Sequence, residues 1–433
     1  MTGVDGSSLR VAFANLGCRV NRVELDAMAL RLQEAGARIV SQREADAIVI
    51  NTCAVTGEAQ AKTRKAIRHA AALPRRPLVV ATGCVASLFA DELRSLAEGV
   101  VVEADKRRVP QRLLEEMAAR GVAARPTDDG SAVQAGTTPT GRTRPGIKIQ
   151  DGCDNRCTYC IVWKARGASR SVDADEVLAE VRAAQARGAR EVVLTGINLG
   201  SYRQPIGEGP DLGLPGLLRK LLSQTDVERI RLSSIEPPDV TEDLVATMAG
   251  AGQRIAPFLH VCLQSGCDRT LRQMGRVYDT RSYAQVVELA RAYLPDLALG
   301  TDLIVGFPGE TDEDFAQSLA FCERMAFARM HVFRYSPRPG TPAAVREDQV
   351  APSACARRSA DMLRLAARMR RDQAARRVGS EELVVVQYPG RGVSGGLFDV
   401  LVDDVHPIDA LVRVRVRSVD ADGTLDARTS SII

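Results

Sequence analysis

Twice along this chain, short apolar runs alternate with segments of helical spacing. In the first 125 residues the runs are 11–14, 47–50 and 78–81, with a weaker one at 100–102. Helical spacing fills 23–35, 57–72 and 86–96 between them. Strands joined by helices must lie parallel, because a helix returns the chain to the same end of the sheet. The pattern therefore predicts a doubly wound parallel α/β domain over 1–125. Residues 126–144 (PTDDGSAVQAGTTPTGRTR) lack any period and read as a linker. The alternation restarts at 145 with strand candidates 147–150, 191–195, 230–235, 258–263, 298–305 and 329–334. Helices are expected at 174–187, 212–224, 240–250, 281–293 and 312–326. Six such units in about 190 residues fall short of a closed eight-unit barrel of ~250 residues, so a partial (β/α)6 barrel is expected over 145–351. One Arg-rich helix follows over 352–377. The remainder, 378–433, turns strand-like and turn-rich, as a small β-barrel would.

Composition removes several classes. Of 433 residues, 45% are hydrophobic and 26% charged, the profile of a soluble globular chain. No apolar run approaches the ~20 residues that cross a bilayer, and Met1–Ser8 carries no signal-peptide pattern. Ten cysteines are too few for a disulfide scaffold. A cytoplasmic protein with reduced thiols and no membrane partner is expected.

The cysteines carry the chemistry. Cys153, Cys157 and Cys160 stand in one loop, DGCDNRCTYC, directly after the first barrel strand. Three thiolates on a short loop can hold three irons of a [4Fe–4S] cube and leave the fourth open to a chelating small molecule. A structural zinc ion would want four closed ligands, and neither a histidine nor a fourth cysteine lies near. Cys18, Cys53 and Cys84 each follow a strand of the first domain. The carboxyl ends of parallel strands share one edge, so these three should converge there as a second cluster; three unrelated loop thiols is the alternative. Cys262, Cys267, Cys322 and Cys355 read as buried bystanders. His260 and His331 read as satisfied core residues of barrel strands.

The C-x3-C-x2-C loop resembles the signature of radical S-adenosylmethionine (SAM) enzymes. The longer string KIQDGCDNRCTYCIV, with GCRVN at 17–21, NTCAVT at 51–56 and TGC at 82–84, is similar to the methylthiotransferase branch of that superfamily. Within the branch, the wording resembles most the type acting on N6-threonylcarbamoyladenosine in tRNA; other types act on isopentenyladenosine in tRNA or on a ribosomal aspartate. The resemblance implies that Cys153, Cys157 and Cys160 hold the cluster that binds and cleaves SAM to a 5′-deoxyadenosyl radical. It implies that Cys18, Cys53 and Cys84 hold an auxiliary cluster carrying the sulfur to be inserted, giving two [4Fe–4S] clusters. The implied reaction places a methylthio group at C2 of the modified adenine. Partners would be tRNA, a flavodoxin- or ferredoxin-like electron donor and a sulfur source. Gly196, Asn198, Glu236, Gln264 and Asp302, at or near barrel strand ends, are the candidate SAM contacts.

Two departures from the family pattern matter. Ile161-Val162-Trp163-Lys164 stands where the family often reads Ile-Ile-Pro, so Trp163 either stacks on a base or fills the proline's place. The C-terminal barrel resembles the TRAM module usually credited with RNA binding, yet 378–433 has five Arg against nine Asp or Glu. Such a surface repels phosphate. The preceding 352–377 has eight Arg against two Asp. The expectation is that tRNA is gripped by this helix, through Arg364, Arg368, Arg370 and Arg371, while the terminal module docks on the protein. An ordinary solvated helix face is the alternative. The rival from another class is a non-catalytic metal-bearing RNA-binding protein.

Overall fold

A computed structural model describes residues 8–124, 137–207 and 209–429. The fold divides into two compact units, residues 1–142 with 161–167, and 143–160 with 168–433. Most of the expected linker lies outside the described residues. Its last part does not behave as a linker, since the Thr138 and Thr140 hydroxyls donate to the Asp26 carboxylate of the first unit.

The first unit is a five-stranded parallel sheet. Its strands, in spatial order, are Arg38–Ile39, Arg10–Asn15, Ala47–Thr52, Leu78–Gly83 and Val101–Val102. In chain order that is 2-1-3-4-5, the doubly wound arrangement whose switch point lies between the first and third strands. Ala47–Thr52 is apolar almost throughout because both of its faces are covered. Ile48 and Ile50 enter one apolar cluster, while Ala47 and Val49 enter the other. The expected helix at 86–96 is two short ones, Cys84–Leu88 and Ala90–Arg94, broken at Phe89. A further helix, Val109–Ala119, escaped the periodicity reading; it buries Val109, Leu113 and Met117 against the sheet's outer face. The short helix Val162–Arg166 belongs here too, and Ile161 before it is part of this unit's core.

The second unit contains six parallel strand positions in sequential order. Gly146–Lys148, Glu191–Thr195 and Arg229–Leu232 form one sheet. After a break at Ser233, Ser234–Ile235 pairs onward with Phe258–Val261, Ala298–Val305 and Arg329–Arg334. Helices Ala174–Ala186, Leu214–Gln224, Glu242–Gly250, Thr280–Tyr293 and Asp312–Met325 cover the outside, as the spacing predicts. This is the partial barrel.

Helix Pro352–Ala375 lies against the barrel through Met362, Leu365 and Met369. The C-terminal part is a curled six-stranded sheet built on Glu381–Tyr388, Arg391–Ser394, Asp399–Leu401 and Leu411–Arg415, closed by two short strands. The sheet docks on the barrel. Its Val384, Phe398 and Leu425 share one apolar cluster with Phe258, Ala298 and Ala328. Below that cluster Glu191 is fully buried between Arg229 and Arg231. Arg231 also donates to the backbone carbonyls of Gly395 at 2.6 Å and Ser394 at 3.0 Å, and Arg229 to that of Leu383. Burial alone would raise the Glu191 carboxyl, yet the two guanidiniums hold it well below the carboxylate range.

Candidate functional site

In the first unit all three strand-end cysteines lie at the carboxyl edge. Cys18 follows Arg10–Asn15 and caps helix Arg19–Glu34; Cys53 follows Ala47–Thr52; Cys84 follows Leu78–Gly83. The first two flank the switch point of the sheet, where open α/β sheets bind ligands. Close backbone approach holds the loops together. Asn21 Nδ2 donates to the Thr52 carbonyl at 2.9 Å, and Asn51 Nδ2 to the Asn21 carbonyl at 2.6 Å. Gly83, at φ +97°, leaves no room for a side chain: a Cβ there would stand 2.5 Å from the Thr52 carbonyl oxygen. Burial pushes the Cys53 thiol up to about 11, with Cys84 and Cys18 adding to the rise and Arg166 opposing it. Arg166 ion-pairs with Glu24 at 3.0 Å and donates to Asn21 Oδ1, to which Lys106 also donates at 3.3 Å. Cys18 Sγ is 3.9 Å from that same oxygen. Arg166 and Lys106, both paired with Glu24, thus stand beside the cysteine edge of the sheet.

In the second unit the loop with Cys153, Cys157 and Cys160 leaves the barrel at its carboxyl end. Thr158 pins it: its N–H donates to the Met274 carbonyl at 3.0 Å and its hydroxyl to that of Gln273 at 2.9 Å. Gln150 joins the base of the loop to the next strand end, its Oε1 accepting from the N–H groups of Ile197 and Asn198, both at 2.9 Å. Arg276 donates to Cys157 Sγ at 2.8 Å, to the Tyr278 hydroxyl at 3.0 Å and to the Glu236 carboxylate. Burial pushes the Cys153 thiol up, and the Arg276 cation works against that rise. Neither Gln150 nor Arg276 stood out in the sequence. A signal for Arg276 was its place after Gly275, which at φ +72° turns the chain back under the cysteine loop.

The candidate SAM contacts fall in two groups. Gly196 and Asn198 follow Glu191–Thr195, Glu236 follows Ser234–Ile235, and Gln264 lies just past Phe258–Val261, all at the carboxyl rim. Asn198 Oδ1 is buried without a hydrogen-bond partner, and Gln264 is held at φ +67°, costly for a non-glycine residue. A bound ligand can supply the partner that Asn198 Oδ1 lacks. Asp302 lies instead inside Ala298–Val305, with its carboxylate turned to His260 and His331.

Family models match both regions: "Radical SAM superfamily" over residues 147–322 and "Uncharacterized protein family UPF0004" over 10–103. The threonylcarbamoyladenosine tRNA methylthiotransferase MtaB of Thermotoga maritima is 33% identical over 431 residues, covering 98% of each chain. The chain belongs to the radical SAM methylthiotransferases. The tRNA-2-methylthio-N(6)-dimethylallyladenosine synthase of Erythrobacter litoralis is 34% identical over 93% of each chain. The ribosomal protein uS12 methylthiotransferase RimO of Desulforudis audaxviator is 34% identical over 94% of each. Among solved structures, the radical SAM methyltransferase TsrM of Kitasatospora setae shares the fold at TM-score 0.54 and 16% identity, over 78% of this chain and 77% of that one.

Membership of this family implies SAM and a [4Fe–4S] cluster. The donor chemistry of this methylthiotransferase fits. Each cysteine set is all-thiol, and none of the six is in a disulfide. The arginines expected to contact RNA are more committed than the sequence suggested. Arg370 pairs with Asp399 of the C-terminal sheet at 2.8 Å. Arg364 and Arg368 are exposed and pair with Asp361 and Glu323, and Arg371 is exposed. Trp163 is half-buried on its short helix with the Lys164 ammonium 5.2 Å from its ring. Among the described residues, no helix is long and apolar enough to cross a membrane.

Proposed function

We propose that this enzyme methylthiolates C2 of N6-threonylcarbamoyladenosine in tRNA, using two [4Fe–4S] clusters. Cys153, Cys157 and Cys160 hold the cluster that binds SAM, and Cys18, Cys53 and Cys84 hold the auxiliary one. The observation that carries this reading is the placing of three all-cysteine donors at the carboxyl ends of parallel strands in each unit. When bound, SAM and its cluster supply a carbon radical able to attack an aromatic C–H bond that no side chain could ionise. The protein's own part is to hold and orient. Arg276 steadies Cys157 and Glu236 together, Gln150 fixes the loop to the rim at 197–198, and Gly196, Asn198 and Gln264 offer close backbone and amide contacts to SAM. In the first unit Arg166 and Lys106 place positive charge beside the thiols. An electron donor such as flavodoxin or ferredoxin and a sulfur source complete the system.

The threonylcarbamoyl substrate is favoured by the full-length relative from Thermotoga and by the Cys-Arg-Val-Asn and Asn-Thr-Cys-Ala-Val-Thr segments. Relatives acting on dimethylallyladenosine or ribosomal protein uS12 stand at similar identity, so the nucleoside must be measured. The test is expression in a host lacking its own threonylcarbamoyladenosine methylthiotransferase, with mass spectrometry of bulk tRNA nucleosides. The 2-methylthio derivative should appear, and should vanish in Cys157→Ala and Cys53→Ala. Its absence beside a methylthiolated dimethylallyladenosine or ribosomal aspartate would move the enzyme to that other substrate.

A further inference from the structure

Deeper in the barrel than the cysteine loop lie His260, Asp302 and His331, on three neighbouring strands. The register pairs His260 with Gly300 and Asp302 with His331. Side chains alternate across a strand, so these three share one face. The opposite face, with Leu259, Val261, Leu299, Leu303 and Val305, packs in the apolar core under the helices. The histidines and the aspartate therefore look into the barrel's interior. They converge closely. His260 Nε2 is 3.1 Å and His331 Nδ1 3.0 Å from the same oxygen of Asp302, and the two imidazole rings lie 5.4 Å apart. Cys262 Sγ approaches the other carboxylate oxygen at 3.9 Å.

His331 is partnered at both ring nitrogens, as the sequence reading expects, but His260 is not fully satisfied. His260 is 1% exposed, yet its Nδ1 has no partner and its Nε2 has only the Asp302 contact. Buried polar groups are seldom left this way, because the lost hydration is not replaced. Gly300 beside it keeps Nδ1 uncovered, since a Cβ there would stand only 3.0 Å away. His331 and Asp302 keep 38% and 24% of their side chains exposed, so the group opens onto free space. Arg329 adds a cation, its Nε reaching His331 Nε2 at 3.5 Å. Burial would raise the Asp302 carboxyl, but the two histidines hold it well below the usual range, so the aspartate is an acceptor throughout the working pH.

We propose that His260, Asp302 and His331, with Arg329 beside them, form the pocket for the N6 substituent of the target adenosine, and that they require this substituent to be polar. The proposal rests on the tRNA reading above and deepens it. A threonylcarbamoyl group offers a ureido N–H to the Asp302 carboxylate, and its carbonyl and carboxylate oxygens to the imidazoles and the guanidinium. A dimethylallyl group offers nothing. It would strip water from these side chains without replacing it, and sites built to hydrogen-bond a substrate reject analogues lacking the partner by about 10⁴–10⁵.

The experiment is an internal competition between two tRNAs, one carrying N6-threonylcarbamoyladenosine and the other N6-dimethylallyladenosine, with the reconstituted full-length enzyme. The ratio of the two methylthio products does not depend on how much protein is folded or loaded, so a structural defect does not move it. Wild type should favour the threonylcarbamoyl substrate by more than about 10³. His331→Phe should lower that ratio, which reads the two kcat/KM values, at least about tenfold, and His331→Gln, which keeps a hydrogen-bonding end, should recover part of it. An unchanged ratio in His331→Phe overturns the pocket while leaving the substrate assignment standing. A wild type that prefers the dimethylallyl substrate overturns the assignment itself. A stoichiometric zinc or iron ion beyond cluster iron, lost in His331→Phe, would give the triad to a metal and also overturn the proposal.

Discussion

Glu191→Gln should loosen the C-terminal sheet from the barrel, by an amount the local structure sets. The carboxylate is fully buried and its oxygens serve Arg229 and Arg231, themselves 1–2% exposed, with Arg144 3.6 Å away. Neutralising it leaves two buried guanidiniums without a countercharge and turns one of the acceptor oxygens into an amide NH2 group facing them. Removing one partner from a buried ion group costs about 3–5 kcal/mol, two to three and a half powers of ten in the unfolding constant. With a urea dependence of about 3 kcal/mol/M, the midpoint of the transition of the second unit should fall by about 1–1.7 M, read by circular dichroism. The loss should be pH-dependent. A carboxylate depressed in the folded state stabilises above its unfolded pKa of about 4.3, and that contribution fades as pH falls through the folded value. Wild type and variant should therefore converge in acid. Adding Arg231→Met to Glu191→Gln removes one surplus cation, so the pair should cost at least about 1 kcal/mol less than the two singles summed. A midpoint drop under about 0.3 M, or strict additivity, would refute the view that uncompensated buried charge governs this interface.

Asp409 gives a prediction of opposite sign. Burial raises its carboxyl to about 6, neither oxygen has a partner, and its φ is +73°. Asparagine tolerates that backbone, so Asp409→Asn should raise stability by about 1–2 kcal/mol above pH 6. The gain should shrink below pH 6 and disappear by about pH 3, under the unfolded value of about 3.9, where the acid is protonated in both states; a gain unchanged at pH 3 would exclude the charge as its origin. Gly83→Ala should misplace Cys84 through the 2.5 Å clash with Thr52, and anaerobically reconstituted protein should drop from about eight irons per chain to about four. Full iron content in that variant would remove Cys84 from the auxiliary set. Charge reversal at Arg364, Arg368 and Arg371 should weaken tRNA binding and shrink the salt slope by about 2–3, because exposed ion pairs surrender their partners readily. Arg370 is left out of that variant because it holds Asp399; an unchanged slope would show that RNA lies elsewhere.

Ala47–Thr52 and Leu78–Gly83, which position Cys53 and Cys84, were legible because each is buried along its whole length, which writes a compact apolar run into the sequence. The convergence of Cys18, Cys53 and Cys84 at one edge followed from parallel topology alone. What stayed hidden depends on contacts between distant elements. His260 and His331 looked like isolated core histidines, since only the register of three strands brings them onto Asp302. Arg276 carries no local pattern that marks a neighbour of Cys157. Arg229 and Arg231 sat within an expected barrel strand, and nothing local says that the C-terminal sheet closes over them. The Arg-rich helix shows the same limit. Charge content is visible in a sequence, but whether Arg358 reaches buried Glu310 or Arg370 reaches Asp399 is not.

The short helix Val162–Arg166 has a consequence for synthesis. It completes the first unit, supplying Ile161 to the core and Arg166 to the Glu24 pair, although 18 residues of the second unit, 143–160, precede it in the chain. A ribosome adding about 5–20 residues per second needs roughly one to five seconds to pass from residue 142 to 167. During that interval the N-terminal sheet is present but its last apolar face is uncovered. Domain-by-domain maturation in strict chain order is therefore closed to this protein. Cys153, Cys157 and Cys160 have already been synthesised when the first core seals, and a fragment ending at 142 would lack part of its own interior.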